Sequence, residues 1–197
     1  MAHPSPLHAR LRAATSALHA SLDRSLTIAQ LPPTVQRVVR HLSACAAWYS
    51  PLEQRLHSVA YLSPELQALS LEERDKAAWL RADLARLGAE QPAELCDELP
   101  TIDSTHDCWG LLYVLEGATL GGRVLQTRIA EGAPELRTLE FFAGYGTDTA
   151  TRWREFLAAL DGADRARTID ASRAEAAACA TFATLHAWLR KQGCTTT

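Results

Sequence analysis

A histidine and a carboxylate stand one helical turn apart near the start of the chain. The segment LRAATSALHASLD places His19 four residues before Asp23. On a helix, side chains at this spacing share a face and can touch. A histidine that binds a metal through one ring nitrogen usually donates a hydrogen bond from the other to such a carboxylate. His19 is therefore a candidate metal ligand, while the ordinary alternative is a surface or core histidine.

The 10 glycines of the chain are unevenly spread. The segment WGLLYVLEGATLGGRVL contains Gly110, Gly117, Gly121 and Gly122 within one helical pattern. Each glycine inside a helix costs about 1 kcal/mol relative to alanine, so the cluster needs a reason. Gly117 and Gly121 share one face. Without side chains on that face, either a flat ligand or another helix can approach the backbone closely, and both explanations stay open.

Other catalytic patterns are weak or missing. Glu53 and His57 have the spacing of half a di-iron site, but the Glu-x-x-His motif that such bundles use twice does not occur. The sequence also lacks a phosphate-binding loop, a dinucleotide fingerprint and a serine-nucleophile motif. The 5 cysteines are scattered and none form a CxxC pair, which predicts reduced thiols in a cytoplasmic protein.

Length and composition limit the remaining classes. The chain has 197 residues, 47% of them hydrophobic and 22% charged, which fits one globular domain. A formal net charge of -3 gives no basic excess, so no nucleic-acid partner is expected. The apolar runs are too short for a membrane span, and the first residues lack a secretory signal. We predict a single domain over residues 1–197 with flexible tails at 1–5 and 192–197.

The elements that position these residues are predicted to be helices. Neither sustained alternation nor a hairpin signal indicates strands, so the predicted fold class is all-α. Apolar spacing, prolines, glycines and capping residues predict the following segments. They are Leu7–Leu26, Thr34–His57, a short helix opened by Ser63-Pro64, Leu71–Leu87, a short segment Pro92–Glu98, His106–Ala130, Pro134–Phe142, a helix from Thr147 or Asp148 to Leu160, and a last helix that starts at Gly162 or Asp164 and ends at Lys191.

Taken together, these segments resemble the heme oxygenase family. LRAATSALHASLD is similar to the proximal helix of those enzymes, and YVLEGATLGGRVL is similar to their glycine-rich distal helix. FFAGYG, TRWREFLAAL and EAAACATFATLHAWL extend the likeness over Leu7 to Leu189, closest to the bacterial branch that accompanies bacteriophytochromes. The resemblance implies a multi-helical bundle in which heme is sandwiched between a proximal and a distal helix.

On the proximal side, the resemblance implies that His19 is the axial ligand of the heme iron. Asp23 would orient His19, either directly or through a water because aspartate is shorter than the glutamate common in the family. Arg12 matches a basic position that meets a heme propionate, two turns before His19 on nearly the same face. Arg152 and Arg154 are weaker candidates for the second propionate.

On the distal side, the resemblance implies close contact between heme and helix backbone. Three glycines would form the backbone over the ring: Gly117, Gly121 and Gly122. Tyr113 would line the wall of the pocket. Ala118 stands where the mammalian branch has an aspartate that organises water. Thr119 could offer a hydroxyl to the pocket, or it could bond back within its own helix.

The implied function is the oxidative cleavage of heme. Heme b would be both cofactor and substrate, and the reaction would use molecular oxygen to give biliverdin, carbon monoxide and ferrous iron. Electrons would come from an external reductase or ferredoxin, and a bacteriophytochrome would be a candidate acceptor of the biliverdin. Two alternatives stay open: a non-enzymatic heme carrier or sensor that uses the same His19 site, and a thiamin-degrading or di-iron enzyme on a related fold.

Overall fold

The computed structural model describes residues 6–30 and 32–196, and within this part of the chain the regular structure is helical, without strands. The α-helices are α1 (Pro6–Ser25), α2 (Thr27–Gln30), α3 (Val35–Ala60), α4 (Pro64–Gln67), α5 (Lys76–Arg86), α6 (Thr105–Gly132), α7 (Glu140–Ala143), α8 (Thr149–Arg165) and α9 (Ala171–Lys191). Short 3-10 helices lie at Leu71–Arg74, Pro134–Leu136 and Gly146–Asp148. The all-α prediction is confirmed.

The long helix α3 continues through a proline. It begins where the Thr34 hydroxyl accepts a hydrogen bond from the N–H of Arg37 at 3.2 Å. Pro51 lies inside the helix and has no N–H to donate to the carbonyl of Ala47 one turn earlier. The N–H of Cys96 donates to that carbonyl instead, at 2.9 Å. The loop after α5 therefore supplies the hydrogen bond that the proline removes.

The glycine-rich helix α6 has a strong start. Ser104 and Asp107 form a reciprocal capping box, in which the Asp107 carboxylate accepts the Ser104 N–H at 3.0 Å. The same carboxylate pairs with Arg173 of α9 at 2.8 Å. These contacts stabilise the first turn of a helix whose later turns contain several unfavourable glycines.

Helices α8 and α9 each pack against both α1 and α6. The α6–α9 contact is the most extensive of the helix pairs, and it is very close at Gly110, where an added Cβ would lie 2.0 Å from the carbonyl oxygen of Ala174. Trp109 and Phe156 are buried in the same region, with ring centroids 6.1 Å apart. This packing holds the two helices expected to carry the site at a fixed separation.

Two predicted helices are each divided in two. The segment Leu71–Leu87 contains a 3-10 turn followed by α5, because Asp75 has an extended backbone and its carboxylate accepts the Ala78 N–H at 2.8 Å. The segment Pro134–Phe142 likewise contains a 3-10 turn followed by α7. The segment Pro92–Glu98 forms no helix.

The boundary predicted near Gly162 is wrong. Helix α8 continues through this glycine to Arg165, since an exposed helix interior tolerates a glycine at a cost of only about 1 kcal/mol. The last helix begins at Ala171, where the Asp170 carboxylate accepts the N–H groups of Ser172 and Arg173 at 2.9 and 3.1 Å. Capping by an aspartate, rather than the glycine, therefore sets the start of α9.

The C-terminal residues return to the end of α1. The N–H of Thr27 donates to the carbonyl of Cys194 at 2.9 Å, and the N–H of Thr196 donates to the carbonyl of Ser25 at 2.6 Å. The segment predicted as a flexible tail at 192–197 is thus hydrogen-bonded through Thr196. The tail predicted at 1–5 lies outside the described residues.

All 5 cysteines are free thiols. In the described part of the chain, none of the helices has both the length and the apolar character needed to cross a bilayer.

Candidate functional site

A cavity of about 770 Å³ lies between α1 and α6. Its volume is within the range of about 300–1,000 Å³ typical of small-molecule sites. Most of the predicted site residues line it: Arg12, His19, Asp23, Tyr113, Gly117, Gly121 and Gly122. Thr119 and the two weaker propionate candidates, Arg152 and Arg154, do not line it. The structure therefore brings together the two segments whose residues could do chemistry.

The His19 imidazole is oriented by a direct contact with Asp23. Its Nδ1 lies 2.9 Å from a carboxylate oxygen of Asp23, so the aspartate reaches the ring without a bridging water. The Phe182 ring packs against the imidazole edge at a centroid distance of 5.5 Å. The His19 and Asp23 side chains are 58% and 59% exposed, which places them at the open side of the cavity. With Nδ1 facing the carboxylate, Nε2 is the ring nitrogen left for a ligand.

The glycines of α6 have different surroundings. Gly110 is in backbone contact with α9, as described above. At Gly121 an added Cβ would meet no atom within 4 Å, although the residue lines the cavity. At Gly117 it would lie 3.9 Å from the Trp153 ring, and at Gly122 it would lie 3.1 Å from the carbonyl oxygen of Phe142. Gly110 is needed for close packing of α6 against α9. Gly121 instead leaves the backbone of α6 open toward the cavity.

Thr119 and Tyr113 differ in their placement. The Thr119 hydroxyl donates to the carbonyl of Glu116 at 2.6 Å within its own helix, and Thr119 does not line the cavity. Tyr113 forms part of the wall together with the rings of His8 and Trp153, at centroid distances of 6.0 and 5.9 Å. Burial raises the pKa of Tyr113 above its ordinary value, so its hydroxyl stays protonated.

Arg12 is the only residue with a permanent positive charge among the described residues that line the cavity. Its side chain is exposed at the cavity mouth. Arg152 instead pairs with Glu73 at 2.7 Å, and Arg154 bonds to Thr151 at 3.0 Å. Neither of these two arginines lines the cavity, so of the predicted cationic contacts only Arg12 is in position.

Sequence reasoning missed the inner end of the cavity. We use this name for the buried residues His41, Cys45, Tyr49 and Phe142 together with the partly buried Phe141. Neighbouring members contact one another: the His41 Nε2 lies 3.5 Å from the Cys45 sulfur, and ring pairs join His41 to Phe142 and Tyr49 to Phe141. The spacing of residues 41, 45 and 49 places them on one face of α3, and this periodicity was the available signal.

A buried ionic cluster lies beside the glycine-rich helix. The Glu116 carboxylate contacts Lys76 Nζ at 2.7 Å and Arg74 Nη1 at 2.6 Å, and the Tyr145 hydroxyl donates to it at 2.9 Å. Glu116, Lys76 and Arg74 are no more than 3% exposed. Burial opposes ionisation of Glu116, but the adjacent cations lower its pKa below the ordinary value. Because Glu116 directly precedes Gly117, this cluster fixes α6 where its backbone faces the cavity.

Glu53 has a structural role at the start of α5. Its carboxylate accepts the N–H groups of Lys76 and Ala77 at 3.1 and 2.9 Å. Burial raises the pKa of Glu53 to about 7. Within the described residues, no group of three or more histidine, cysteine or acidic side chains could hold a metal ion. The geometry therefore gives no support to a di-iron centre at Glu53 and His57.

The fold and the cavity define a class of protein: a helical bundle with one cavity that is lined by both an imidazole and open glycine backbone. Comparison of sequences gives the family. The heme oxygenase family model matches residues 5–191, and the chain belongs to this family.

One relative supports the same assignment over a shorter stretch. The heme oxygenase of Xanthomonas campestris pv. campestris (strain 8004) is 38% identical over 89 residues. The matched stretch covers 45% of this chain and 52% of the relative, so it spans about half of each protein.

Proposed function

We propose that this protein is a heme oxygenase that binds heme b in the cavity between α1 and α6 and converts it to biliverdin, carbon monoxide and ferrous iron. The observation that carries the proposal is that one cavity is lined by an imidazole in contact with a carboxylate and by an open glycine face. The His19 Nδ1 is 2.9 Å from Asp23, and nothing lies within 4 Å of an added Cβ at Gly121. Family membership supports the same chemistry.

The residues present fit a heme group. A flat macrocycle needs a slot with little side-chain bulk, and Gly121 provides open space on the distal side. The carboxylates of heme need a cation near solvent, and Arg12 lies exposed at the cavity mouth. The apolar ring edge needs an apolar interior, which Phe142, Leu185 and Leu189 supply.

In the proposed mechanism, heme supplies both the oxygen-activating iron and the ring that is opened. His19 would hold the group through Nε2, while the Asp23 carboxylate beside Nδ1 would fix the orientation of the imidazole and make it a stronger donor. Arg12 would pair with a propionate and so set the rotation of the ring. The backbone at Gly117 and Gly121 would confine one face of the ring.

Proton delivery on the distal side would rely on backbone groups and ordered water. Asp23 is the only carboxylate among the described lining residues, and one of its oxygens lies 2.9 Å from His19 Nδ1. Ala118 lines the distal wall without an acidic group. The hydroxyl of Thr119, bonded to Glu116, is placed to stabilise the helix rather than to deliver protons.

The proposal extends to partners and location. Electrons come from an external reductase or ferredoxin, since the sequence contains no dinucleotide fingerprint. The resemblance to the bacteriophytochrome-associated bacterial branch supports a bacteriophytochrome as acceptor of the biliverdin. Free thiols support a reducing, cytoplasmic location.

The test is a turnover assay. Purified protein is loaded with hemin and supplied with oxygen, a reductase system and catalase, while the absorbance spectrum is recorded. We expect loss of the Soret band together with the appearance of biliverdin, identified by chromatography. A Soret band that persists would instead identify a heme carrier or sensor. Bleaching that occurs only in a parallel reaction without catalase would identify nonspecific damage by peroxide.

A further inference from the structure

The inner end of the cavity contains a buried polar atom without a partner. The Nδ1 of His41 makes no hydrogen bond to any described residue, although His41 is only 5% exposed and lines the cavity. A buried polar group left unsatisfied costs about 1–3 kcal/mol. Such groups are few in native proteins and call for an explanation.

The rest of the His41 ring is held in place. Its Nε2 lies 3.5 Å from the Cys45 sulfur, and its plane is within 20° of the Phe142 ring at a centroid distance of 6.1 Å. These contacts fix the imidazole from two sides. The Nδ1 atom therefore stays unpaired because the ring that carries it is held in this orientation.

The inner end is electrically neutral. Burial lowers the pKa of His41 to about 4, and it raises the pKa of the Cys45 thiol and of the Tyr49 hydroxyl above their ordinary values. No group there attracts a carboxylate, whereas the cation Arg12 lies at the mouth. Heme bound with its propionates at Arg12 would therefore direct the opposite, apolar edge toward His41.

That edge of heme offers His41 no hydrogen-bonding atom, because it bears only carbon-bound hydrogens and alkyl or vinyl groups. Ring opening there removes the bridging carbon as carbon monoxide and leaves an oxygen on each flanking pyrrole. Each resulting lactam has a C=O acceptor and an N–H donor. A neutral imidazole nitrogen is a donor or an acceptor according to the tautomer, so a lactam can pair with the Nδ1 of His41 in either form.

We propose that His41 forms a product subsite, in which its Nδ1 hydrogen-bonds a lactam group of biliverdin opened at the edge opposite the propionates. The subsite distinguishes product from substrate, because only the product brings a polar partner to the inner end. This inference rests on the proposed function and names a residue that holds its product.

The test measures binding to the metal-free protein, without turnover. Biliverdin IXα and hemin are titrated separately, with tryptophan fluorescence as the signal, into the wild type and three variants. His41→Phe removes the polar atom. His41→Asn places an amide atom near the position of Nδ1, and His41→Gln places one near Nε2, which makes Gln the matched control.

We expect His41→Phe and His41→Gln to weaken biliverdin binding about three- to tenfold, the effect of one neutral hydrogen bond. His41→Asn should retain most of the affinity, and His41→Phe should weaken hemin binding less than it weakens biliverdin binding. Equal losses for hemin and biliverdin, or no loss for biliverdin, would overturn the proposal. Failure of the wild type to bind hemin would overturn the proposed function, and the subsite with it.

A second measurement uses only the wild type and so does not depend on whether a variant folds. The ¹⁵N resonances of labelled His41 are compared in the free protein, with biliverdin, and with diamagnetic zinc protoporphyrin. We expect biliverdin to shift the Nδ1 resonance strongly, while zinc protoporphyrin leaves it close to its position in the free protein. The same Nδ1 shift with both ligands would identify a bound water as the partner and would refute the lactam contact.

Discussion

Two alanine substitutions in the same helix should have opposite effects on stability. Gly121→Ala and Gly110→Ala each replace a glycine inside α6, and each gains about 1 kcal/mol of helix propensity. At Gly121 the new methyl group meets nothing within 4 Å, so the gain remains. The free protein should then melt about 2–4 °C higher, as expected for a chain of this length.

At Gly110 the new Cβ would lie 2.0 Å from the carbonyl oxygen of Ala174 and 2.9 Å from the Ala178 nitrogen. Both are backbone atoms of α9, so the two helices must separate. Overpacking of this kind typically costs about 1–3 kcal/mol, which equals or exceeds the propensity gain. We expect a net loss of stability in Gly110→Ala.

Hemin binding should also differ between the two variants, but here Gly121→Ala should be the impaired one. The methyl group at position 121 enters the cavity where the ring is proposed to lie, and it should weaken hemin binding about tenfold, the equivalent of about 1.4 kcal/mol. Gly110→Ala changes a contact outside the cavity lining and should bind hemin with affinity close to that of the wild type as long as it is folded.

The assays are urea unfolding of the free protein and hemin titration followed at the Soret band. A Gly110→Ala variant that is more stable than the wild type would refute the predicted clash with α9. The placement of the ring is refuted if Gly121→Ala, and the larger Gly121→Leu, bind hemin as tightly as the wild type does.

Three further predictions concern charge and protonation. Glu116→Gln removes the negative charge that pairs with the buried Lys76. It should therefore lower the free energy of unfolding by about 3–5 kcal/mol, measured by urea unfolding. Asp23→Ala removes the acceptor that lies 2.9 Å from His19 Nδ1 and should lower the iron–histidine stretching frequency of the ferrous heme complex in resonance Raman spectra; an unchanged frequency would show that Asp23 does not tune the ligand. The pKa of His41 falls from 6.5 to about 4 on burial, so the folded state binds fewer protons than the unfolded state between these values. Stability should therefore fall by up to about 3 kcal/mol as pH is lowered through that window, and His41→Phe should lack this component when its pH profile is subtracted from that of the wild type.

The sequence was sufficient to predict the helices that form the walls of the site. Apolar periodicity located α1 and α6, and the i,i+4 spacing of His19 and Asp23 predicted the contact that the structure contains. These features are local, since they depend on residues within one or two helical turns. The glycine cluster indicated the second wall for the same reason.

Contacts between distant segments could not be predicted in this way. Glu116 meets Lys76 and Arg74 only after the chain has folded, and no local pattern marks these residues as partners. The different surroundings of Gly110 and Gly121 likewise depend on which face of α6 meets α9. The break at Asp75 was missed for a local reason. The apolar pattern continues across this residue, so the aspartate that caps α5 was assigned to the interior of one longer helix.

The proposed function requires that His19 bind heme iron within the cavity between α1 and α6. The most direct measurement is the absorbance and resonance Raman spectrum of hemin bound to His19→Ala, before and after addition of free imidazole. We expect the histidine-ligated spectrum to be lost in the variant and to be restored by imidazole, which fills the space left by the side chain. A variant that retains the wild-type spectrum without imidazole would contradict the assignment of His19 as the axial ligand.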